Sequence, residues 1–311
     1  MNGLTQLNLG STEQTEQALA AIFDVEITRS RAGPLDIDLT SCPVGECLVY
    51  ESGTNQPLLV SGARSNDFWT ISPITESCAG GRFRGQQLKE SNLLILDPGG
   101  EIYQQLAAGH RQRAISIPRH LAERIARAEY GLTAEALWGR WCLRSSGSIN
   151  RQISELLGQH LRGSLFRTLD QSAGEELASA IVAMAQQAEE ITQARSSLAH
   201  RRRIVRQAEE LIRSRLANPP TVTELCEATH TSRRSLFYAF KELIGRTPSA
   251  HAKILRLHTA RIHIIVRSGE RCVQQVAYEL GFTHLGQFAI DYAKLFGESP
   301  NQTRMHHGGK P

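Results

Sequence analysis

The 311-residue sequence predicts an α+β chain, with a small β-barrel-like domain and its helices followed by an all-α domain of two helix-turn-helix units joined by a long helix. Three observations predict it: short apolar runs punctuated by Gly, Pro and Ser fill the first 118 residues, the apolar period becomes helical after Pro118, and one segment near the C-terminus occurs twice. The length fits two folding units of roughly 100–200 residues each.

The N-terminal segment MNGLTQLNLGSTEQTEQ has no basic cluster leading into an apolar run, so no secretory signal is expected. No stretch approaches the roughly 20 consecutive apolar residues of a membrane span, and a cytoplasmic chain with no membrane partner is expected. The runs CLVY, PLLV, DFWTIS, RFRGQQL, NLLILDPGG and RAISI read as strands. Their recurrence at roughly ten-residue intervals favours an antiparallel sheet or barrel over residues 1–118.

The six cysteines (Cys42, Cys47, Cys78, Cys142, Cys226 and Cys272) are scattered, which suits reduced, packed thiols better than a disulfide framework. Cys42 and Cys47, set around Pro43 and Gly45, read as a turn with two structural thiols, since no second pair with zinc-ligand spacing exists. His110 is the sole histidine before residue 120, which disfavours a histidine-rich metal centre; neither a metal nor a cofactor is expected. Trp69, Phe83 and Tyr103 are candidates to line a small-molecule pocket, although aromatic residues in strands more often belong to the core.

Residues 119–200 read as a helical connector. One apolar stripe joins Ile153, Leu156, Leu157, His160, Leu161, Leu165 and Leu169, and another joins Leu177, Ile181, Met184, Ala188 and Ile191. Such stripes suit either a homodimer interface or packing within one chain.

Charge divides the sequence. Residues 1–194 hold 16 Lys and Arg against 22 Asp and Glu, a net of −6, whereas residues 195–311 hold 19 against 9, a net of +10. A basic module attached to an acidic one suits a polyanionic partner, because cationic side chains displace counterions condensed on nucleic acid. A solvated basic surface would have the same composition, and the repeat decides between the two.

TELCEATHTSRRSLFYAFKELIGRTP is echoed by QQVAYELGFTHLGQFAIDYAKLFGESP. Early anchors lie 51 residues apart (Leu225 with Val276, His230 with Gly281) and later ones 52 apart (Leu236 with Phe288, Phe240 with Tyr292, Pro248 with Pro300). The second copy therefore has one extra residue between its helices, where insertions are best tolerated. Each copy reads as a short helix, a turn and a longer helix, over about 221–244 and 272–296. Thr221 with Glu224 forms a capping-box pattern, and Gly281 suits a left-handed helix end, a place taken by His230 in the first copy. Leu236, Ala239, Phe240 and Leu243 make one inward face, and Phe288, Tyr292, Leu295 and Phe296 make the other. Between the copies, residues 249–268 read as one helix about 30 Å long, close to the roughly 34 Å between successive major-groove faces of B-DNA. His251, His258 and His263 share this helix at spacings that match no metal-ligand pair, so they read as packing or surface residues.

These residues resemble the DNA-binding domain of the AraC/XylS family of bacterial transcription regulators over roughly residues 201–305, with a short tail at 306–311. The anchors are Leu225, Ser232, Leu236 and Phe240, then Arg256, Leu257, Ala260 and Arg261, then Ala277, Gly281, Phe282, Phe288 and the Gly297–Pro300 stretch. Within the family, HLGQFAIDYAKLFGESP is most similar to the branch that includes the ethanolamine-utilisation activator. The resemblance implies a sequence-specific regulator of transcription, commonly an activator, whose two longer helices enter adjacent major grooves of double-stranded promoter DNA. RNA polymerase is a further implied partner. Carried over by position, the DNA-binding residues are Arg233, Arg234, Ser235, Phe237 and Tyr238 in the first unit and His284, Leu285, Gln287 and Ile290 in the second. Arg201, Arg202, Arg203 and Arg206 read either as a phosphate-facing edge or as a solvated charge run.

The second unit departs from the family pattern, because Ile290 and Asp291 stand where many relatives carry arginine, so the first unit is expected to dominate base reading. The resemblance also implies a cupin-like N-terminal domain that binds a small-molecule effector; association without effector control is the alternative. A DNA alkyl-transfer repair enzyme with the same DNA-binding domain is the remote one, and it would need clustered thiolates that Cys42, Cys47 and Cys78 do not supply. No enzymatic activity is expected.

Overall fold

The computed structural model describes residues 4–20, 22–29, 31, 33–78, 80–138, 142–163, 171–187, 189–190, 195–266 and 272–307. The chain divides into one unit of residues 1–27 with 35–193 and a second of residues 28–34 with 194–311. Each unit builds its own apolar core.

In the first unit, β1 (Thr5–Leu9), α1 (Thr12–Leu19), β2 (Phe23–Arg29), β3 (Ile37–Val44), β4 (Cys47–Thr54), β5 (Leu58–Arg64) and β6 (Phe68–Pro73) follow in order. Next come β7 (Arg82–Phe83), β8 (Gln86–Gln87), β9 (Asn92–Leu96), β10 (Glu101–Leu106) and β11 (Arg111–Pro118). Helices α2 (Arg119–Tyr130) and α3 (Ala134–Trp138) precede β12 (Cys142–Arg144), and α4 (Gly147–Gly163) and α5 (Gln171–Ala185) precede β13 (Glu189–Glu190). One sheet has the order β1-β3-β4-β11-β6-β9-β12-β13 and the other β2-β5-β10-β7-β8.

The apolar run NLLIL in β9 is buried at every position, as in a strand covered on both faces. Its alternate side chains enter different cores, because successive residues of a strand point to opposite faces. Leu93 and Ile95 join Ile125 of α2, Ile153 and Leu157 of α4 and Ile181 of α5. Leu94 and Leu96 join Ile74, Cys78, Phe83 and Leu88 on the opposite face. The helices thus cover one face of the larger sheet, and a further cluster, with Leu9, Ile27, Ile37, Leu39 and Leu58, bridges the two sheets.

The small barrel expected for residues 1–118 is replaced by two open sheets packed on each other, with no ring of hydrogen-bonded strands among the described residues. Alternation specifies which side of a strand faces inward, whereas closure depends on whether edge strands meet, which alternation does not encode. The stretch read as a helical connector also contributes β12, which pairs with β9 through Cys142 opposite Leu94, and β13, which pairs with β12. In the expected stripes, Leu165 and Leu169 of the first and Ala188 and Ile191 of the second lie outside the described residues, as does the end of the tail, residues 308–311.

The second unit is helical from residue 195: α6 (Arg195–Ser214), α7 (Val222–Ala228), α8 (Arg233–Leu243), α9 (Pro248–Val266), α10 (Val273–Glu279), α11 (Leu285–Phe296) and α12 (Pro300–His307). Among the described residues no helix is long and apolar enough to cross a membrane.

Candidate nucleic-acid interface

The two repeated segments fold as α7 with α8 and as α10 with α11, each pair joined by a short link. Thr221 opens α7 with a capping box: its hydroxyl accepts from the Glu224 amide at 3.2 Å, and the Glu224 carboxylate accepts from the Thr221 amide at 2.7 Å. The Thr221 amide and hydroxyl and then Arg215 hold the Glu224 carboxyl down to about 2. The link runs from Thr229 to Ser232 in the first copy and from Leu280 to His284 in the second, one residue longer.

Both links turn through a left-handed residue, His230 at φ 49° and Gly281 at φ 72°. Gly281 is required twice over, because a Cβ there would also sit 1.7 Å from the Ala217 carbonyl oxygen. Beside it, Arg256 of α9 donates from Nε at 2.9 Å and Nη2 at 2.7 Å to the Leu280 carbonyl, with its guanidinium 4.1 Å from the centre of the Phe282 ring. One arginine thus satisfies a helix-end carbonyl and covers the aromatic residue that follows the turn.

The predicted inward faces are buried: Leu236, Ala239, Phe240 and Leu243 on α8, and Phe288, Tyr292, Leu295 and Phe296 on α11. A buried pair, His251 Nε2 and Glu209 Oε1 at 2.7 Å, ties α9 to α6. Of the two readings left open, packing or surface, burial assigns His251 and His258 to packing, and His258 is pushed down to about 3 by desolvation and then by the nearby Arg246 and Arg261 charges.

With those faces inward, the nine residues carried over from the resemblance fall on two outward surfaces. Arg233, Arg234, Ser235 and Tyr238 are exposed and Phe237 is half-buried. Ser232 caps α8 by accepting from the Ser235 amide at 3.2 Å, and the two hydroxyls lie 3.0 Å apart, so Ser235 is drawn into the cap. The Arg233 guanidinium lies over the Phe237 ring at 5.5 Å, and that of Arg201 over Tyr238 at 5.6 Å. Arg201 also pairs with Glu242 at 2.6 Å, so the first arginine of the basic run braces α8.

Arg234 has no hydrogen bond or ion pair among the described residues. Arg233 and Arg234 are the first two residues of α8, at the positive end of its dipole, where a cation is unfavourable by about 0.3–1 kcal/mol. No acidic side chain lies in that first turn to offset the cost.

On α11, His284 and Gln287 are exposed, Leu285 is half-buried and Ile290 is 56% exposed. Asp291 is neutralised by Lys253 of α9 at 2.5 Å. Sequence reasoning passed over this lysine and the turn-holding role of Arg256. The two basic residues stand three apart on a long helix and so share a face, but their partners are set only when the helices pack.

Of the proposed small-molecule contacts, Trp69 stacks edge-on against Trp138 with ring centres 5.4 Å apart, while Phe83 is buried with Ile74, Leu94 and Leu96. Buried Cys42, Cys47 and Cys78 each donate to a different backbone carbonyl, of Pro43, Gly174 and Arg111. Burial pushes the Cys47 thiol up to about 12, the opposite of an activated nucleophile.

Residues 225–306 match a family model described as a helix-turn-helix domain. The chain is 33% identical over 100 residues to a probable thc operon regulatory protein of Rhodococcus erythropolis, covering 32% of this chain and 30% of the relative. It is 32% identical over 95 residues to a XylDLEGF operon transcriptional activator of Pseudomonas putida, covering 30% of each. Both are regulators by name, not enzymes, and the match spans less than a third of their length. The crystal structure of a probable AraC family transcriptional regulator from Rhodopseudomonas palustris is 36% identical, covers 33% of this chain and 96% of that one, and has a TM-score of 0.32.

Proposed function

From the premise that residues 225–306 are an AraC-type helix-turn-helix domain, we propose that the chain is a sequence-specific DNA-binding regulator of transcription, an activator controlled by a small-molecule effector held in the N-terminal unit. In this reading α8 and α11 enter adjacent major grooves on one side of a duplex. The 19 residues of α9 span about 28 Å at 1.5 Å per residue, comparable to one turn of B-DNA.

The observation that carries the reading is the pair of arginines at the start of α8, uncompensated by any acid in that turn and placed against the helix dipole. A fold retains such a cost where an anionic partner removes it. Phosphate would do so, and so would the O6 and N7 acceptors of guanine, which match the arginine fork. Phe237 and Tyr238 flank these arginines, and the Ser235 amide is held by the Ser232 cap. In the second unit Gln287 is suited to adenine and Ile290 to a thymine methyl, with His284 and Leu285 beside them.

Selection of binding sites from random duplex DNA by the full chain tests this. An enriched motif with two protected major-groove faces about one helical turn apart on footprinting is expected. Failure to enrich any motif, with only salt-sensitive binding to all DNA, would refute a sequence-specific regulator.

A further inference from the structure

Between the two sheets of the N-terminal unit lies a cavity of about 100 Å³. Among the described residues its walls include no Asp, Glu, Lys or Arg; most are apolar, among them Leu19, Phe23, Val60 and Ile102. Polar side chains gather where β10, β11 and β6 meet it: Gln104, His110, Gln112 and Ser72.

The hydrogen bonds of this cluster have a defined direction. Ser72 donates its one hydroxyl proton to the Arg113 carbonyl at 2.7 Å, so it accepts from Gln112 Nε2 at 2.7 Å. That fixes the Gln112 amide, whose Oε1 accepts from Gln104 Nε2 at 2.7 Å and faces His110 Nε2 at 3.0 Å. A carbonyl oxygen can only accept, so the His110 proton resides on Nε2. The ring is 2% exposed, and burial holds its pKa below the usual histidine value, which leaves it neutral. Its Nδ1 is then a bare acceptor, buried and without a hydrogen-bond partner among the described residues. Buried acceptors are rarely left unmade, and no side chain among the described residues donates to this one.

We propose that this cavity is the effector site and takes a small, uncharged molecule with an apolar body and one hydroxyl or amide N–H that donates to His110 Nδ1. The proposal rests on the reading of the chain as an effector-controlled regulator. Size limits the ligand: an engineered cavity of about 150 Å³ admits benzene, so the ligand has no more than about six non-hydrogen atoms. Carboxylates are excluded, because the walls carry no cation and both Gln112 Oε1 and His110 Nδ1 present lone pairs. A metal ion would find His110 as its single imidazole ligand, with no carboxylate beside it.

The test uses the full chain without DNA and three probes of matched size: cyclopentanol, the donor-free cyclopentanone and the anionic butyrate. Calorimetric titration is expected to show cyclopentanol binding about tenfold more tightly than cyclopentanone, the difference of one hydrogen bond, and no binding of butyrate. His110→Phe should abolish the preference. Since that variant can also perturb the fold, the ¹⁵N resonances of the unaltered protein provide a second readout: Nδ1 of His110 should move with cyclopentanol and not with cyclopentanone. Equal affinity for the two neutral probes, tighter binding of butyrate or binding of none overturns the proposal. Selection of DNA sites by the ligand-free chain reports separately on the regulator reading, so either can fail alone.

Discussion

Arg234→Ala should move stability and DNA affinity in opposite directions. Arg234 is the second residue of α8, exposed, without an ion pair among the described residues, and set against the helix dipole. Removing the cation relieves about 0.3–1 kcal/mol of unfavourable dipole interaction. Alanine is the strongest helix former, and an exposed side chain leaves no cavity behind. Urea denaturation should therefore show a variant as stable as the parent or more stable by up to about 1 kcal/mol. On a duplex enriched by the parent protein, loss of a bidentate contact to guanine should cost about 1–3 kcal/mol, roughly 5- to 150-fold in affinity. Fluorescence anisotropy on that duplex and on a scrambled one separates the contact types. A base contact weakens binding to the enriched site more than to the scrambled one. Equal weakening on both, with the slope of log K against log salt reduced by about 0.9, would instead assign Arg234 to a phosphate. Unchanged affinity for both duplexes, or a loss of fold stability, would refute the claim that this arginine is retained for DNA.

Gly286, the second residue of α11, makes a similar case: a Cβ there would meet nothing within the protein, so the fold does not require glycine, whereas close approach by a duplex would. Gly286→Ala should raise stability by about 0.5–1 kcal/mol on denaturation while lowering DNA affinity; undiminished affinity would show that no duplex comes close. Gly281→Ala combines a left-handed φ with a clash on the Ala217 carbonyl and should cost about 2–5 kcal/mol, whereas His230→Gly at the matching position should gain about 0.5–1 kcal/mol. Replacing His251 by Leu removes the 2.7 Å hydrogen bond to the buried Glu209 and should cost about 1–3 kcal/mol by urea denaturation, with part of the loss recovered when Glu209 is also made Leu. His258 titrates near 3 in the fold and near 6.5 when unfolded, so between those values the unfolded chain binds the extra proton and stability falls as pH is lowered, by up to about 1.4 kcal/mol per pH unit. His258→Phe preserves the ring packed edge-on against Phe296 and should flatten stability between pH 6.5 and 3, compared directly with the parent; parallel curves would show that His258 is not the group responsible.

The C-terminal unit was legible because its determinants are local. Leu236, Ala239, Phe240 and Leu243 recur at helical spacing, Thr221 and Glu224 cap one another across three residues, and the left-handed turn positions announce themselves as Gly281 and its counterpart His230. The pairs that set the charge of the outward surfaces were not legible. Lys253 meets Asp291 and Arg201 meets Glu242 only once helices distant in sequence have packed. The N-terminal unit shows the same division: alternation revealed strands, but neither the open edges of the two sheets nor the late strands Cys142–Arg144 and Glu189–Glu190 leave a periodic trace. His110 was visible from sequence only as an argument against a metal centre. Its directed proton depends on residues drawn from three strands, Ser72, Gln104 and Gln112.

The two helix-turn-helix units share a scaffold but present unequal surfaces, and the inequality bears on how each would meet DNA. At the start of α8 two cations add to the positive end of the helix dipole, so the attraction to an anionic duplex is strong and concentrated. At the start of α11 the residues are Leu285, Gly286 and Gln287, without charge, and the acid further along is neutralised by Lys253 rather than left to repel phosphate. The anchoring differs in the same sense. Arg256 fastens the turn before α11 through two hydrogen bonds and a stacked ring, and Arg261 braces the helix after it through Glu298 at 2.6 Å. A uniformly charged pair would bind many sequences in the same way, because phosphate contacts carry no sequence information. An electrostatically strong first unit joined by one continuous helix to a firmly held, apolar second one permits a different arrangement: the first supplies affinity, and the second adds a requirement that neutral, shape-matched base edges lie about one turn away.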